Sequence, residues 1–190
     1  MKQVALVTGA GSGIGRSVAV GLARRGAIVV LAGRTPDKLE DVAGEIAAFG
    51  GEAWCRASDV SVSGGVEELV ADVDARYGRL DMALNNAGGH GAFRPMHEIP
   101  GDEADWVFDL NYRAVYHGMR AQIPLMLRSG GGAIVNTASI EAFGGEMMAS
   151  PYATAKAGVV NLTRNVAIEY GRKGIRANAI CPGIVETPLY

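Results

Sequence analysis

The chain has 190 residues and a mass of 19.8 kDa, with 48% hydrophobic residues and a formal net charge of −2. This length fits one domain, residues 1–190, with a substantial core, and the near-neutral charge gives no electrostatic basis for binding nucleic acid or an anionic membrane. No apolar run approaches the length of a membrane span, and the N-terminus does not have the pattern of a signal peptide. We therefore expect a cytoplasmic protein.

Short apolar segments alternate with amphipathic ones along the chain. The apolar segments are too short for helices and predict buried parallel strands at Val4–Val7, Ile28–Ala32, Ala53–Arg56, Met82–Leu84, Ala133–Asn136 and Ala177–Cys181. The amphipathic segments predict helices at Ile14–Arg25, Pro36–Phe49, Val62–Tyr77, Glu103–Arg128 and Pro151–Arg172. C-terminal cap glycines are expected at Gly26, Gly50, Gly78 and Gly174. This alternation with right-handed crossovers predicts a doubly wound α/β fold, in which helices cover both faces of a parallel sheet.

A glycine-rich turn, VTGAGSGIGRS, joins the first strand to the first helix. Backbone N–H groups of Gly9, Gly13 and Gly15 and the dipole of the following helix can hold a pyrophosphate. The spacing fits neither a Walker loop, whose lysine is replaced by Arg16, nor the GxGxxG pattern, whose last glycine would fall on Arg16. What remains is TGxxxGxG, and on its own this turn leaves a nucleotide site and an ordinary tight turn equally open.

The segment SPYATAK predicts the start of a helix, with Ser150 as its N-cap and Pro151 in the first helical position. A spacing of four residues places Tyr152 and Lys156 on one face, one turn apart. These residues alone leave two interpretations open. One is a half-buried tyrosine covered by a lysine stem, and the other is a phenol made acidic by a neighbouring cation.

Further motifs decide between these interpretations because they occur together and in order. They are the turn Thr8–Gly15, Asp59-Val60, the NNAG segment Asn85–Gly88, Asn111, Ser139 thirteen residues before Tyr152, Lys156, and IRANAICPGIVETP ending at Pro188. With them the chain resembles the single-domain branch of the short-chain dehydrogenase/reductase family over nearly its whole length. The resemblance implies a Rossmann-type, three-layer αβα fold and an oxidoreductase that interconverts an alcohol and a ketone or aldehyde with a nicotinamide cofactor.

The resemblance also implies a catalytic tetrad of Asn111, Ser139, Tyr152 and Lys156. Tyr152 would act as general acid/base, because the ammonium of Lys156 and the positive nicotinamide ring stabilise a phenolate whose ordinary pKa is about 10. Ser139 would hold the substrate oxygen, Lys156 would also bind the ribose, and Asn111 would hold a water that relays protons. Taken singly, Ser139 could instead cap a strand end, and Asn111 could satisfy a buried helix backbone.

The cofactor site implied by the resemblance comprises Gly9, Ser12, Gly13, Ile14, Gly15, Arg34, Asp59, Val60, Asn86, Ala87, Gly88, Tyr152, Lys156, Pro182, Gly183, Val185 and Thr187. An enzyme that selects NAD usually places a carboxylate at the end of the second strand, where it binds the ribose hydroxyls and repels a 2′-phosphate. Gly33 occupies this position and Arg34 follows it, so we expect NADP, with NAD possible. Arg16 is expected to add positive field, whereas Asp37 could pair with Arg34 and weaken the preference.

The remaining polar residues give weaker indications. His90, His97 and His117 lack metal-ligand spacing, and Cys55 and Cys181 are expected to be buried free thiols, so no metal is predicted. The side chains expected nearest the substrate are His90, Phe93, Glu141 and Met148. Glu141 could accept a hydrogen bond from a hydroxylated or cationic substrate, although a surface glutamate is the favoured interpretation.

The family continues past PGxxxTP with a substrate-covering loop and helix, a further helix and a last strand, which are missing from this sequence. The resemblance therefore implies a chain that binds dinucleotide but turns substrate over poorly. A homodimer or homotetramer through the helices Glu103–Arg128 and Pro151–Arg172 is the family expectation. The alternative is a non-catalytic dinucleotide-binding sensor or scaffold with the same fold, against which the complete tetrad argues.

Overall fold

The computed structural model describes residues 2–187, which form six strands and six α-helices. The strands are β1 (Val4–Thr8), β2 (Ile28–Gly33), β3 (Glu52–Ala57), β4 (Met82–Asn85), β5 (Gly132–Thr137) and β6 (Ile175–Ile180). The helices are α1 (Gly13–Arg24), α2 (Pro36–Ala48), α3 (Gly65–Tyr77), α4 (Gly101–Phe108), α5 (Ala114–Arg128) and α6 (Ser150–Tyr170). Among these helices, none is long and apolar enough to cross a bilayer.

The six strands form one parallel sheet in the order β3-β2-β1-β4-β5-β6. β1 lies at the point where the chain changes direction across the sheet, because it pairs with β2 on one side, Val4 opposite Ile28, and with β4 on the other, Ala5 opposite Met82. This order confirms the predicted doubly wound Rossmann-type fold. In such sheets a ligand cleft forms where neighbouring connections diverge, outside the carboxyl ends of the central strands.

Two hydrophobic cores lie on opposite faces of the sheet. Val4 and Leu6 of β1 pack in the core formed with α3, α5 and α6, while Ala5 and Val7 pack in the core formed with α1 and α2. Successive side chains of a strand point to opposite faces, so a strand covered on both sides must be apolar throughout. β1 is accordingly buried at every position.

The outer strands do not have the burial that the sequence predicted. β3 is half-buried through its centre and exposed at both ends, and β6 alternates between buried and exposed residues. Both lie at an edge of the described sheet, where a neighbouring strand covers only one side. Cys55 on β3 and Cys181 beyond β6 are free thiols but only partly buried, so the expectation of buried thiols was wrong.

Three predicted helix boundaries also need correction. α3 begins at Gly65 rather than Val62, because the backbone N–H groups of Ser61 and Val62 bond to Asp59 and form a turn. The predicted helix Glu103–Arg128 is α4 and α5 joined by a π-helical segment, Asp109–Arg113. α6 begins one residue early, so Ser150 is its first residue rather than its N-cap, and it ends at Tyr170, before a short 3₁₀ turn.

The predicted cap glycines are confirmed. Gly26, Gly50, Gly78 and Gly174 have φ angles of 87°, 77°, 64° and 84°, the left-handed conformation that ends a helical segment and that side chains other than glycine disfavour.

Candidate active site

A cleft of about 310 Å³ lies along the carboxyl edge of the sheet. Its walls come from the turns that follow β1, β2, β3 and β4, from the last residue of β5, and from α6. The cleft runs from the end of β2, at Gly33 and Arg34, to Tyr152 and Lys156 near the start of α6.

Glycines of the first turn leave room for this cleft. Gly9 and Gly13 have φ angles of 65° and 51°, and a Cβ on Gly13 would lie 3.0 Å from Cγ2 of Thr187. Gly15 has a different structural role, because it does not line the cleft. A Cβ on Gly15 would lie 2.2 Å from the carbonyl oxygen of Gly9. Gly15 therefore lets α1 pack directly against the turn, while Gly9 and Gly13 line the cleft.

Asn86 is held between β1 and β5 by hydrogen bonds on both sides. Its backbone N–H donates to Oγ1 of Thr8 over 2.9 Å, and its Nδ2 donates to the carbonyl oxygen of Thr8 over 3.3 Å. On the other side, Oγ1 of Thr137 donates to Oδ1 of Asn86 over 3.1 Å. These bonds fix the Asn86–Gly88 wall of the cleft relative to both strands.

At the β2 end, the cleft is lined by Gly33, Arg34, Thr35 and Lys38. Arg34 is exposed and, within residues 2–187, forms no ion pair with Asp37 or any other carboxylate. Lys38 was not predicted, although its position on the first turn of α2, four residues after Arg34, could have indicated it.

Two other charged residues considered for cofactor binding, Asp59 and Arg16, differ in their position relative to the cleft. Burial acts to raise the pKa of Asp59, but hydrogen bonds from Ser61 and the nearby Arg34 guanidinium leave it below its usual value. Asp59 is thus an ionised acceptor in the cleft. Arg16 lies outside the cleft, and its guanidinium donates two hydrogen bonds of 2.7 and 3.0 Å to Oε2 of Glu45 on α2. Its charge is therefore paired there and does not supply the positive field that was expected at the cofactor site.

Tyr152 and Lys156 lie together at the other end of the cleft. They are 7% and 2% exposed, and the Nζ of Lys156 lies 5.5 Å from the centroid of the Tyr152 ring. Nζ also donates to the carbonyl oxygen of Thr137 over 2.8 Å. Burial lowers the pKa of Lys156 to about 8, although Cys181 and Glu141 act in the opposite direction. The ammonium is therefore costly to bury and still largely charged near neutral pH.

Asn111 is fully buried in the π-helical segment. Its Nδ2 donates to the carbonyl oxygens of Val107 and Gly89 over 2.9 and 2.8 Å, and its Oδ1 accepts from the N–H of Gly89 over 3.2 Å. A Cβ on Gly88 would lie 2.9 Å from this Oδ1 and 3.2 Å from Nζ of Lys156. Asn111 thus satisfies local backbone groups and lies across Gly88 from Lys156.

Ser139 follows β5 and is 7% exposed. Its Oγ accepts a hydrogen bond of 3.2 Å from the N–H of Glu141 and so caps the short 3₁₀ helix Ile140–Phe143. A hydroxyl that accepts one bond still has its own proton to donate. The capping role and the expected substrate contact are therefore compatible.

The expected substrate-facing side chains gather around Tyr152. The ring of His90 lies 3.8 Å from the ring of Tyr152 and 5.5 Å from that of Phe93, measured between centroids. Burial and Lys156 lower the pKa of His90, and Glu146 opposes them. A small second pocket is lined by these three rings and by Met148, whose φ of 63° is strained for a residue with a side chain.

Glu141 is partly exposed, as a surface glutamate would be, but one of its carboxylate oxygens is not. Its Oε2 is fully buried and, among the described residues 2–187, has no hydrogen-bond partner. Burial and the neighbouring Glu146 raise the pKa of this carboxyl, while Lys156 acts to lower it.

Most residues expected at the cofactor site line the cleft, and the exceptions are Gly15, Pro182, Gly183 and Val185. Pro182 accepts a backbone bond of 3.0 Å from Ile140, and Val185 lines a separate groove on the far side of the glycine turn. Cleft residues that the sequence did not indicate are Gly11, Ala32, Thr35, Lys38, Leu39, Ser58, Leu110 and Thr137. Pro188 lies outside the described residues.

The sequence is similar to that of known oxidoreductases. Residues 3–190 match the sequence model of the short chain dehydrogenase family. The cyclohexanol dehydrogenase of Acinetobacter sp. (strain SE19) is 41% identical over 187 residues, covering 98% of this chain and 74% of that protein. The levodione reductase of Leifsonia aquatica is 42% identical over 189 residues, covering 98% of this chain and 71% of that protein.

Solved structures of short-chain oxidoreductases are also similar to this chain. A crystal structure of levodione reductase superposes with a TM-score of 0.94 at 42% identity, covering 98% of this chain and 73% of that one. A metagenomic short-chain oxidoreductase in complex with NADP gives a TM-score of 0.92 at 36% identity, covering 96% and 83% of the two chains. The present chain thus spans about three quarters of the length of these relatives. With this fold, cleft and similarity, the chain belongs to the short-chain dehydrogenase/reductase family of oxidoreductases.

Proposed function

We propose that this protein interconverts a secondary alcohol and a ketone, prefers NADP(H), and uses Tyr152 as its general acid/base. The observation that carries the proposal is the burial of Tyr152 beside Lys156, one helical turn apart, at one end of a glycine-lined cleft. An apolar side chain would pack beside the phenol at a lower free-energy cost than a buried ammonium, so packing alone does not explain Lys156.

The residues of the cleft fit a nicotinamide dinucleotide. Gly9 and Gly13 adopt left-handed conformations and line the cleft, and α1 begins at Gly13, so its N-terminus is available for a pyrophosphate. Asp59 offers an ionised acceptor farther along the cleft. When bound, the nicotinamide would supply the hydride acceptor for alcohol oxidation or the hydride donor for ketone reduction.

In the oxidation direction, Oη of Tyr152 takes the proton of the substrate hydroxyl as the C–H hydride leaves, and in reduction it returns that proton to the new alkoxide oxygen. The ammonium of Lys156 favours the phenolate form needed for the first of these steps. The hydroxyl of Ser139 donates to the substrate oxygen. Both N–H groups of the Asn111 amide are committed to carbonyl oxygens, so any water that Asn111 holds must donate to its Oδ1.

The NADP preference follows from the β2 end of the cleft. Gly33 offers no carboxylate to repel a 2′-phosphate, and Arg34 and Lys38 both line the cleft there. Two cations can bind a dianionic phosphate through charge-assisted hydrogen bonds, and Arg34 can do so through a planar fork.

Cyclic secondary alcohols are the substrate class to test first. One relative at 41% identity is named for cyclohexanol. The side chains of Phe93, Val107, Met148 and Pro151 lie beside Tyr152 and give this end of the site an apolar surface against which a hydrocarbon ring can pack.

The test is a panel of cyclic and acyclic alcohols and ketones, assayed by nicotinamide absorbance with NADP(H) and with NAD(H). We expect turnover of cyclic substrates with a higher kcat/KM for NADP(H). Binding of the dinucleotide without turnover of any alcohol or ketone would contradict the proposed reaction and favour a sensor.

A further inference from the structure

Four polar side chains that the proposed reaction does not use form a hydrogen-bonded network between the sheet and helices α5 and α6. They come from β4, α5, β5 and α6, each is at most 4% exposed, and they are Asn85, Gln122, Asn136 and Thr163. Burying polar groups in an apolar core is costly unless they are paired, and a paired network fixes the elements that it joins. The network is therefore best understood from the elements that it holds together.

The hydrogen bonds run without a break from α5 through two strands to α6. Nε2 of Gln122 donates to Oδ1 of Asn85 over 2.8 Å, and Nδ2 of Asn85 donates to Oδ1 of Asn136 over 2.8 Å. Nδ2 of Asn136 donates to Oγ1 of Thr163 over 2.8 Å, and this hydroxyl donates its own proton to the carbonyl oxygen of Val159 over 2.7 Å. The amide of Asn136 is thus held from β4 on one side and from α6 on the other.

Two consecutive residues of β5 form hydrogen bonds with α6. Asn136 donates to Thr163, and the next residue, Thr137, accepts the bond from Nζ of Lys156 through its carbonyl oxygen. Lys156 and Thr163 are seven residues apart, which is about two helical turns, so both lie on the face of α6 that packs on β5. The bond between Asn136 and Thr163 therefore fixes α6 on the strand beside the residue that binds the ammonium of Lys156.

The position of α6 on β5 affects the reacting groups because they belong to different elements. Tyr152 moves with α6, whereas Nζ of Lys156 is held by a carbonyl oxygen of β5, and Ser139 follows β5. A displacement of α6 along the strand would therefore change the distance from the phenol to the ammonium and to the Ser139 hydroxyl. The attraction between an ammonium and a phenolate falls as their separation grows.

We propose that Thr163, through the hydrogen bond that it accepts from Asn136, is a positioning residue that fixes α6 on β5 and so keeps the Tyr152 phenol in register with Lys156 and Ser139. This inference rests on the proposed function, since it explains how the same catalytic groups are aligned. Thr163 itself touches neither cofactor nor substrate in this account, and it acts only through the helix that carries Tyr152.

The experiment uses three substitutions of Thr163. Thr163→Val keeps the branched shape and Thr163→Ala leaves space, and both remove the hydroxyl, whereas Thr163→Ser keeps it. Without this acceptor Nδ2 of Asn136 still has the Sδ of Met119 at 3.2 Å, so the core keeps a partner for the amide. The measurement is kcat against pH for oxidation of the best alcohol of the panel, at saturating NADP.

We expect the Val and Ala variants to lower kcat about three- to tenfold and to move the rise of kcat with pH upwards by about 0.3 pH units or more, because the phenolate is less well stabilised. Thr163→Ser should match the wild type in both respects. A residue that only stabilised the core would lower the free energy of unfolding and leave the pH profile of the folded enzyme in place.

The matched control is Thr154→Val, which makes the same chemical change on an exposed part of α6 and should leave kcat and the pH profile unchanged. All variants retain the other titratable groups that act on Lys156 or lie against Tyr152, which are Cys181, Glu141 and His90. A shift in the pH profile is then attributable to the position of α6.

A wild-type pH profile in the Val and Ala variants would overturn this inference alone, whether or not kcat or stability falls. An equal loss in Thr163→Ser would overturn it too, as would Val and Ala variants that both fail to fold while the Ser variant folds. Failure of the wild type to oxidise any alcohol or reduce any ketone of the panel would overturn the proposed function, and this inference with it.

Discussion

The imidazole ring of His90 lies against the phenol ring of Tyr152, with centroids 3.8 Å apart and planes inclined by 35°. The loop that carries His90 is held by contacts with Glu103 and with Met148. Glu103 of α4 accepts from the N–H of Ala92 and pairs with Arg94 at 3.6 Å, and the N–H of Arg94 donates to Met148 over 3.0 Å. The Tyr152 ring is therefore held by His90 as well as by its own helix.

Removing this ring contact should slow the reaction without abolishing it. An aromatic pair contributes about 0.5–1.5 kcal/mol, so we expect His90→Ala to lower kcat about three- to tenfold as Tyr152 becomes less well oriented. His90→Phe, which can still stack, should recover most of this loss. His97→Ala is the control, since the His97 side chain is 82% exposed. Equal activity of the Ala and Phe variants would mean that the stack does not orient Tyr152.

The buried ammonium of Lys156 predicts a specific dependence of stability on pH. Its pKa in the folded protein is about 8 against an ordinary value of 10.5, so between these values the unfolded chain binds more protons than the native one. The free energy of unfolding contributed by Lys156 should then rise with pH across this window, by up to about 3 kcal/mol.

Urea denaturation of the cofactor-free wild type and of Lys156→Met gives the free energy of unfolding of each protein at several values from pH 8 upwards. The difference between the two free energies at each pH measures the contribution of Lys156. The wild type should gain stability relative to the variant as pH rises. A difference that stays constant with pH would show that Lys156 has an ordinary pKa in the folded protein.

Two of the glycines of α1, Gly15 and Gly21, should respond in opposite ways to alanine. A Cβ on Gly15 would lie 2.2 Å from the Gly9 carbonyl oxygen, whereas one on Gly21 would meet nothing within 4 Å. We expect Gly15→Ala to lose more than about 2 kcal/mol of stability and to weaken dinucleotide binding, because the turn must shift. Gly21→Ala should gain about 0.5–1 kcal/mol through helix propensity. Comparable stability of the two variants would refute the close-packing role of Gly15.

The strand and helix order could be predicted from the sequence because the central strands are mainly apolar on both faces and a glycine follows each of the helices α1, α2 and α3. β1 is the clearest case, since all five residues are buried. The edge position of β3 could not be predicted in this way, because which strand lacks a neighbour depends on the sheet order rather than on the strand itself. The π-helical segment also left no signal, since it forms where the Asn111 side chain takes up the Val107 carbonyl.

In the candidate site, spacing could indicate Tyr152 and Lys156 because i and i+4 neighbours on a helix share a face. It could not indicate that His90 packs on Tyr152, since the two residues come from different segments joined only by the fold. The burial of Oε2 of Glu141 was missed for the same reason. The side chains of Lys38 and Thr137 likewise reach the cleft from elements whose orientation the sequence did not determine.

Cofactor preference should depend on the cations at the end of β2. The double variant Arg34→Ala/Lys38→Ala should lower kcat/KM for NADPH about tenfold or more and leave that for NADH nearly unchanged, because only the 2′-phosphate is lost as a partner. Adding Gly33→Asp should favour NADH, with Leu39 giving way slightly, since a Cβ on Gly33 would lie 3.3 Å from it. Arg16→Ala is the control cation because Arg16 pairs with Glu45 outside the cleft. A wild type that prefers NADH would contradict this assignment.

The most direct test of the account is the turnover of Tyr152→Phe together with its affinity for the dinucleotide. Only the hydroxyl is removed, so the ring still packs against His90 and near Lys156, and the glycine turn is untouched. We predict that kcat falls by about 10²–10⁴-fold, the usual contribution of a positioned acid/base, while the Kd for NADPH measured by nicotinamide fluorescence changes less than about threefold. A Tyr152→Phe variant that keeps most of the wild-type kcat would contradict the assignment of Tyr152 as the proton-transfer group.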